Sequence, residues 1–168
     1  MIPESILRRK GSRNTASVPT EVLSLLNQGS LETVNLCEWL VVDQLNLAER
    51  EFPKFGWQKL LPTLRERFAK HMPLTAPKKL LLIGSLLAEH FTTPASIRSA
   101  SQLLLVQPSD IVRSWGAYLI GLNAGLSLNE KLHLIRPYAA DPNMSTREIA
   151  WLALREATIA DLEMSILA

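Results

Sequence analysis

The stretch Asp110-Ile111-Val112-Arg113-Ser114-Trp115-Gly116-Ala117-Tyr118-Leu119-Ile120-Gly121 decides the fold, because part of this apolar helical pattern returns later in the chain. Residues 112–117 align with residues 146–151 at a spacing of 34. A period of this length is typical of stacked helical hairpins, each of which buries one face against its neighbour. The repeat therefore predicts helices packed in a regular array.

Two residue types recur at this spacing. Gly116 aligns with Ala150, and small residues at such positions let helices approach closely. Lys79, Arg113 and Arg147 follow one another at the same interval. A basic residue near a helix start faces either a groove or an acid of the adjacent repeat, and the pattern alone leaves both alternatives open.

The rest of the chain also favours helices. Most Gly and Pro residues fall between apolar-periodic segments, and no stretch alternates strictly as a half-buried strand would. We predict an all-α fold, a HEAT-like helical repeat or α-α superhelix of about seven to nine helices, divided into a basic arm over 1–17 and a single helical domain over 18–168. The predicted helices are 21–27, 31–52, 57–71, 76–91, 94–106, 110–123, 128–140 and 145–158.

Composition narrows the class of protein. The chain has 168 residues, 47% of them hydrophobic, which is enough for one domain with a core, and it has no run of about 20 apolar residues that could cross a membrane. No secretory signal is visible at the N-terminus, so we expect a cytoplasmic protein. The single cysteine, Cys37, and the isolated histidines predict no metal site and no cofactor.

Positive charge is concentrated at the N-terminus. The first thirteen residues have a net charge of +3, from Arg8, Arg9, Lys10 and Arg13 against Glu4. The whole chain has a net charge of +2, so the remaining residues together are near −1. Such an arm either lies on nucleic-acid phosphates or is simply solvated.

An acid interrupts a predicted apolar stripe. On a helix over 31–52, Leu36, Leu40 and Leu47 share one face, and Asp43 falls within it, one turn after Trp39. A buried carboxylate must be paired, hydrogen-bonded or used in chemistry. The two interpretations are a structural role for Asp43, capping or pairing near a helix junction, and a working carboxylate in a cleft.

Short islands of the chain resemble a known family. Residues 110–121 and 141–155 look like HEAT-type repeat helices, and Trp39-Leu40-Val41-Val42-Asp43 is similar to the Trp-x-x-Val-Asp helix of the AlkD-like bacterial DNA alkylation repair glycosylases. The islands occur in the family's order over residues 31–158. The resemblance implies a HEAT-like fold with a concave, positively charged face that binds alkylated duplex DNA.

The resemblance also implies a catalytic site. Asp43 takes the place of the acid that stabilises the oxocarbenium-like sugar as a cationic alkylated purine leaves, and Trp39 that of the adjacent aromatic. The family's arginine falls on Lys78 or Lys79, and here the pattern departs, because lysine offers a point charge and no planar fork. The family's second tryptophan is absent or displaced to Trp115, which we place in the lesion pocket with Trp39.

Two classes of function follow. In the first, the protein binds DNA and excises positively charged alkylated purines, or only senses the lesion. The residues expected on the phosphate backbone are Lys78, Lys79, Arg113, Arg147, Arg8, Arg9 and Lys10. In the second, it is a non-enzymatic scaffold that binds a protein partner. Charge distinguishes them: cations on one face around Asp43 favour DNA, and scattered cations favour a scaffold.

Overall fold

All regular structure in the described part of the chain is helical. The computed structural model describes residues 2–162; residue 1 and residues 163–168, the last six of the predicted helical domain, lie outside it. Two short 3₁₀ helices, Thr15–Ser17 and Gln58–Leu60, accompany the α-helices. The all-α prediction is confirmed. In residues 2–162 the α-helices are α1 Glu4–Leu7, α2 Thr20–Asn27, α3 Leu36–Val41, α4 Gln44–Lys54, α5 Leu61–Lys70, α6 Ala76–His90, α7 Pro94–Leu105, α8 Asp110–Gly121, α9 Leu128–Ala139 and α10 Met144–Ala160.

The period of 34 reappears in the positions of three helices. α6, α8 and α10 begin at Ala76, Asp110 and Met144, and α8 packs between the other two. α7 packs on α8, while α9 packs on both α8 and α10, so α7 and α9 form a second layer. A superhelix over the whole chain stays a prediction.

α8 is the centre of the molecule. Every one of its 12 residues is buried, and Trp115 meets Phe52 of α4 edge-on at 5.7 Å between ring centroids. Gly116 has the expected role of a close-approach residue, since a Cβ there would stand 2.1 Å from the Oη of Tyr138 in α9. The hydroxyl of Tyr138 in turn donates a hydrogen bond to the backbone oxygen of Ser101 in α7. Together these contacts hold α8 against the layer formed by α7 and α9.

The predicted helix over 31–52 is wrong. It is divided into α3 and α4, because Asn35 and Asp43 each accept a backbone N–H with the side chain and start a new helix. Residues 31–35 have no helical structure and lie across the starts of α8 and α10; we call them the bridging segment. Leu36 and Leu40 are consequently exposed rather than aligned in a buried stripe.

Two further features concern the outside of the molecule. The N-terminal arm contains α1, whose Ile6 is buried against the core, so the arm is docked on the helical domain. Among residues 2–162, no helix combines the length and the apolar character that crossing a membrane would need.

Candidate functional site

A groove of about 510 Å³ lies between the bridging segment, α3 and the starts of α6 and α10. Most of its lining is apolar, and the residues involved belong to segments far apart in the sequence. We call it the groove. Its lining residues are Glu32, Thr33, Val34, Asn35, Leu36, Trp39, Pro77, Pro142, Asn143, Met144, Ser145, Glu148 and Ile149.

One wall of the groove is held by a buried carboxylate. Asp110, the first residue of α8, accepts hydrogen bonds from the backbone N–H and the hydroxyl of Thr33, at 2.9 and 2.6 Å. Burial raises the pKa of the Asp110 carboxyl above its ordinary value, and the hydrogen bonds from Thr33 partly offset this rise. From the α10 side, Nδ2 of Asn143 donates to the Thr33 oxygen at 2.9 Å and to Glu32 at 3.0 Å.

Arg113 joins the bridging segment to two helix-start loops. Its Nε and Nη2 donate to both oxygens of Asp141, at 2.8 and 3.1 Å, and Nη2 also reaches Glu32 at 3.1 Å. Its Nη1 donates to the backbone oxygens of Gln107 and Pro108. A guanidinium has five N–H groups, so every donor is occupied. Arg113 therefore faces an acid of the adjacent repeat, which is one of the two predicted alternatives.

Arg147 repeats half of this arrangement. Its Nη1 donates to the backbone oxygens of Asp141 and Pro142, at 2.6 and 2.8 Å, which correspond to Gln107 and Pro108 of the preceding repeat. Among residues 2–162, its Nε and Nη2 have no hydrogen-bond partner. Both arginines thus bind the loop before their own helix, and the prediction that they line a concave face with Lys79 is not met at Arg113.

The basic arm is tied down by Arg9. Nε and Nη2 of Arg9 donate to the two oxygens of Glu38, at 2.8 and 2.6 Å, and Glu38 is fully buried in α3. Arg9 Nη2 also donates to the backbone oxygen of Glu32. Such a bidentate, shielded ion pair leaves Arg9 little capacity for phosphate. Arg8 is exposed and paired with Glu4, and Lys10 is exposed.

The predicted catalytic acid and lesion pocket are not brought together. Asp43 is exposed and caps α4, accepting the N–H of Asn46 at 3.2 Å, which corresponds to the structural role considered from the sequence. Trp39 is buried and lines the groove, whereas Asp43 does not. Trp115 is wholly enclosed in the core against Phe52, where it borders no part of the groove. The groove is therefore not a pocket shared by these three residues.

The groove has two carboxylates in its lining, of which Glu32 is ion-paired with Arg113 at 3.1 Å and Glu148 has no ion-pair partner among residues 2–162. Glu32 and Glu148 line it, and none of its described lining residues is Lys or Arg. Lys78 is exposed and Lys79 half-buried at the start of α6, one and two residues beyond the lining residue Pro77. The predicted DNA-contacting cations are thus scattered over the surface, the core and the arm.

Of the residues that line the groove, sequence reasoning named only Trp39 as a site residue. Asn143 has a recognisable signal, because it lies 34 residues after the helix cap Ser109. The Thr33–Asp110 contact spans 77 positions and has no local signature.

No family model, curated protein or solved structure matches this chain.

Proposed function

We propose that this protein is a non-enzymatic protein-interaction module that binds an amphipathic, positively charged segment of a partner protein in the groove. The observation that carries this proposal is the composition of the groove: an apolar lining with no described basic residue, the exposed carboxylate of Glu148, and the carboxylate of Glu32, which Arg113 pairs at 3.1 Å. Val34, Leu36 and Met144 expose apolar surface there, which a partner's side chains would cover. An amphipathic helix laid into a groove is a recurrent mode of peptide recognition.

The buried network behind the groove supports the same proposal. Asp110, Arg113 and Asn143 hold the bridging segment with hydrogen bonds made entirely within the chain. A wall ordered in advance reduces the conformational cost of binding, because the partner need not immobilise it.

DNA repair remains the alternative that the sequence resemblance implies. Duplex binding needs cations that neutralise phosphates, and Arg113 has no free donor while Arg9 is held by Glu38. The geometry therefore supports a protein partner better. Because DNA repair is the alternative function, methylated duplex DNA is also tested as a ligand.

The test uses two labelled helical peptides of about 18 residues with the same leucine stripe, one bearing lysines and the other glutamates on the opposite face. Fluorescence anisotropy with the full chain should show binding of the lysine peptide and at least about tenfold weaker binding of the glutamate peptide. Leu36→Lys should weaken binding of the lysine peptide at least about tenfold, since it places a like charge in the groove. Leu103→Lys, at an exposed apolar residue of α7, is the matched control and should bind as the unaltered protein does.

Two results would overturn the proposal. One is equal binding of the two peptides, or binding that Leu36→Lys leaves unchanged. The other is tight, salt-dependent binding of methylated duplex DNA with release of a base that requires Asp43, which would establish the repair interpretation instead.

A further inference from the structure

One face of α10 is apolar, and no other part of residues 2–162 covers it. Met144 is 68% exposed, Trp151 61%, Leu152 47% and Ile159 61%, whereas the opposite face, with Ala150 and Ala153, is buried against the core. Most tryptophans and isoleucines are substantially buried, so four such side chains along one helix mark a surface of interaction. From Met144 to Ile159 this surface extends over about 22 Å of the helix.

The charges on this face are ordered symmetrically. Glu148 lies in its first half and Arg155 in its second, both are exposed, and neither has an ion-pair partner among residues 2–162. With 100° of rotation per residue, Glu148 and Arg155 point along the middle of the same face as the apolar residues. The point midway between Trp151 and Leu152 is also midway between Glu148 and Arg155, and midway between Met144 and Ile159.

We propose that a second copy of this chain docks on α10 through a two-fold axis at this midpoint, so that the two α10 helices pack antiparallel. In this arrangement Glu148 lies opposite Arg155 of the second copy, and Arg155 opposite its Glu148. Trp151 packs beside Leu152, and Met144 beside Ile159. Two ion pairs thus flank an apolar centre, and the surface is its own complement, as a two-fold interface requires.

Other packings of the same two faces are less favourable. A parallel pair in register would put Glu148 against Glu148 and Arg155 against Arg155, which is repulsive. A partner helix that has no charges at the matching positions would leave Glu148 and Arg155 against apolar side chains. Charge complementarity therefore selects the antiparallel pair.

The expected association is weak. A single pair of helices buries less surface than the roughly 1,200 Å² of the smallest stable interfaces, so the dissociation constant should be on the order of 10 to 100 μM. This inference goes beyond the proposed function. It shares Met144 and Glu148 with the lining of the groove, so dimerisation and peptide binding should compete.

Sedimentation velocity of the full chain from about 5 to 500 μM tests the proposal. The unaltered protein should shift from monomer to dimer over this range. Trp151→Glu should raise the dissociation constant at least about tenfold, and Leu103→Glu, the control on α7, should leave it unchanged. Thermal unfolding of each variant shows whether it is folded.

The most discriminating experiment exchanges the charges at residues 148 and 155. Glu148→Arg and Arg155→Glu should each be monomeric alone, because each faces like charges with like. An equimolar mixture of the two variants should dimerise as the unaltered protein does, since every pair across the antiparallel axis is then complementary. This arm does not depend on the folding of the Trp151 variant.

The proposal is overturned if the unaltered protein stays monomeric at all concentrations, if the Trp151 variant dimerises normally, or if the mixture does not dimerise. Failure of the dimer proposal can be distinguished from failure of the proposal that the groove binds a peptide. Leu36→Lys should dimerise normally, and Trp151→Glu should still bind the lysine peptide.

Discussion

The backbone oxygen of Ala153 in α10 occupies the space that a side chain on Gly121 in α8 would need, at 2.2 Å from an ideal Cβ. α8 and α10 therefore touch with backbone against backbone at this point. A side chain cannot be accommodated by rotation of a flexible neighbour, because the obstacle is main chain.

Gly121→Ala should lower the free energy of unfolding by about 3 kcal/mol, because the two helices must separate to admit the methyl group. Helix propensity alone would make the same change stabilising. Gly56→Ala is the matched control: nothing lies near its Cβ, but its φ of +77° disfavours alanine, so a loss of only about 1 kcal/mol is expected. Urea denaturation measures both, and similar losses would contradict the close contact.

The two equivalent arginines should differ in their importance for stability. Arg113→Lys retains the charge but cannot fill five hydrogen bonds, and should lose about 3 kcal/mol, since Asp141 is left buried with an incomplete partner. Arg147→Lys loses only two bonds to backbone oxygens and should cost under about 1 kcal/mol. Equal effects in chemical denaturation would show that the Asp141 and Glu32 contacts do not matter.

Asp110 should make stability depend on pH. Its pKa is raised in the folded protein above the ordinary 3.8, so the folded state binds its proton more tightly than the unfolded chain does. The stabilisation that this tighter proton binding adds to the free energy of unfolding is therefore fully present below pH 3.8 and is lost as the pH rises through the pKa of Asp110 in the folded protein. The unfolding free energy of the unaltered protein, minus that of Asp110→Asn, should fall over this window and be level above it.

Glu89 supplies the control of opposite sign. A hydrogen bond from Arg67 lowers the pKa of Glu89 below its ordinary 4.5, so its contribution is present above pH 4.5 and is lost as the pH falls. The difference between the unaltered protein and Glu89→Gln should slope the other way. The same slope for both variants would refute the assignment for Asp110.

Substitution of Asp43 separates capping from catalysis. Asparagine caps helices as well as aspartate does, so Asp43→Asn should leave thermal stability unchanged, whereas Asp43→Ala should cost about 1 kcal/mol by removing the acceptor for the Asn46 N–H. If both variants are as stable as the unaltered protein, the cap contributes nothing. Assay of methylated DNA for released base with the asparagine variant then tests catalysis in a fully folded protein.

Local signals carried most of the fold prediction. Helical spacing of apolar residues, with Pro, Ser and Asn between the segments, predicted the starts of α6, α8 and α10 to within one residue, because these signals depend on residues close together in the chain. The break at Asp43 was missed because no Gly or Pro marks it. Val42 and Asp43 leave the helix through a side-chain hydrogen bond, which competes with an otherwise continuous helical pattern.

The site was predicted less well, because its partners are distant in sequence. The positions of Arg113 and Arg147 were recognised from the period, but their surroundings were not: Asp141 and Glu32 turn Arg113 into a structural residue. A cation in a repeat looks the same in the sequence whether it faces solvent or an acid. Only the packing of the bridging segment and of the loop before α10 against α8 decides between these alternatives.

The bridging segment has a consequence for how the chain folds. Helices stacked only on their neighbours can form and fray one repeat at a time, since their contacts are local. Here Thr33 bonds to Asp110 and Asn143 across 77 and 110 positions, so these contacts require closure of long loops. The repeats and the N-terminal third should therefore unfold together in one transition, and the chain should fold more slowly than a purely local helical array of its length.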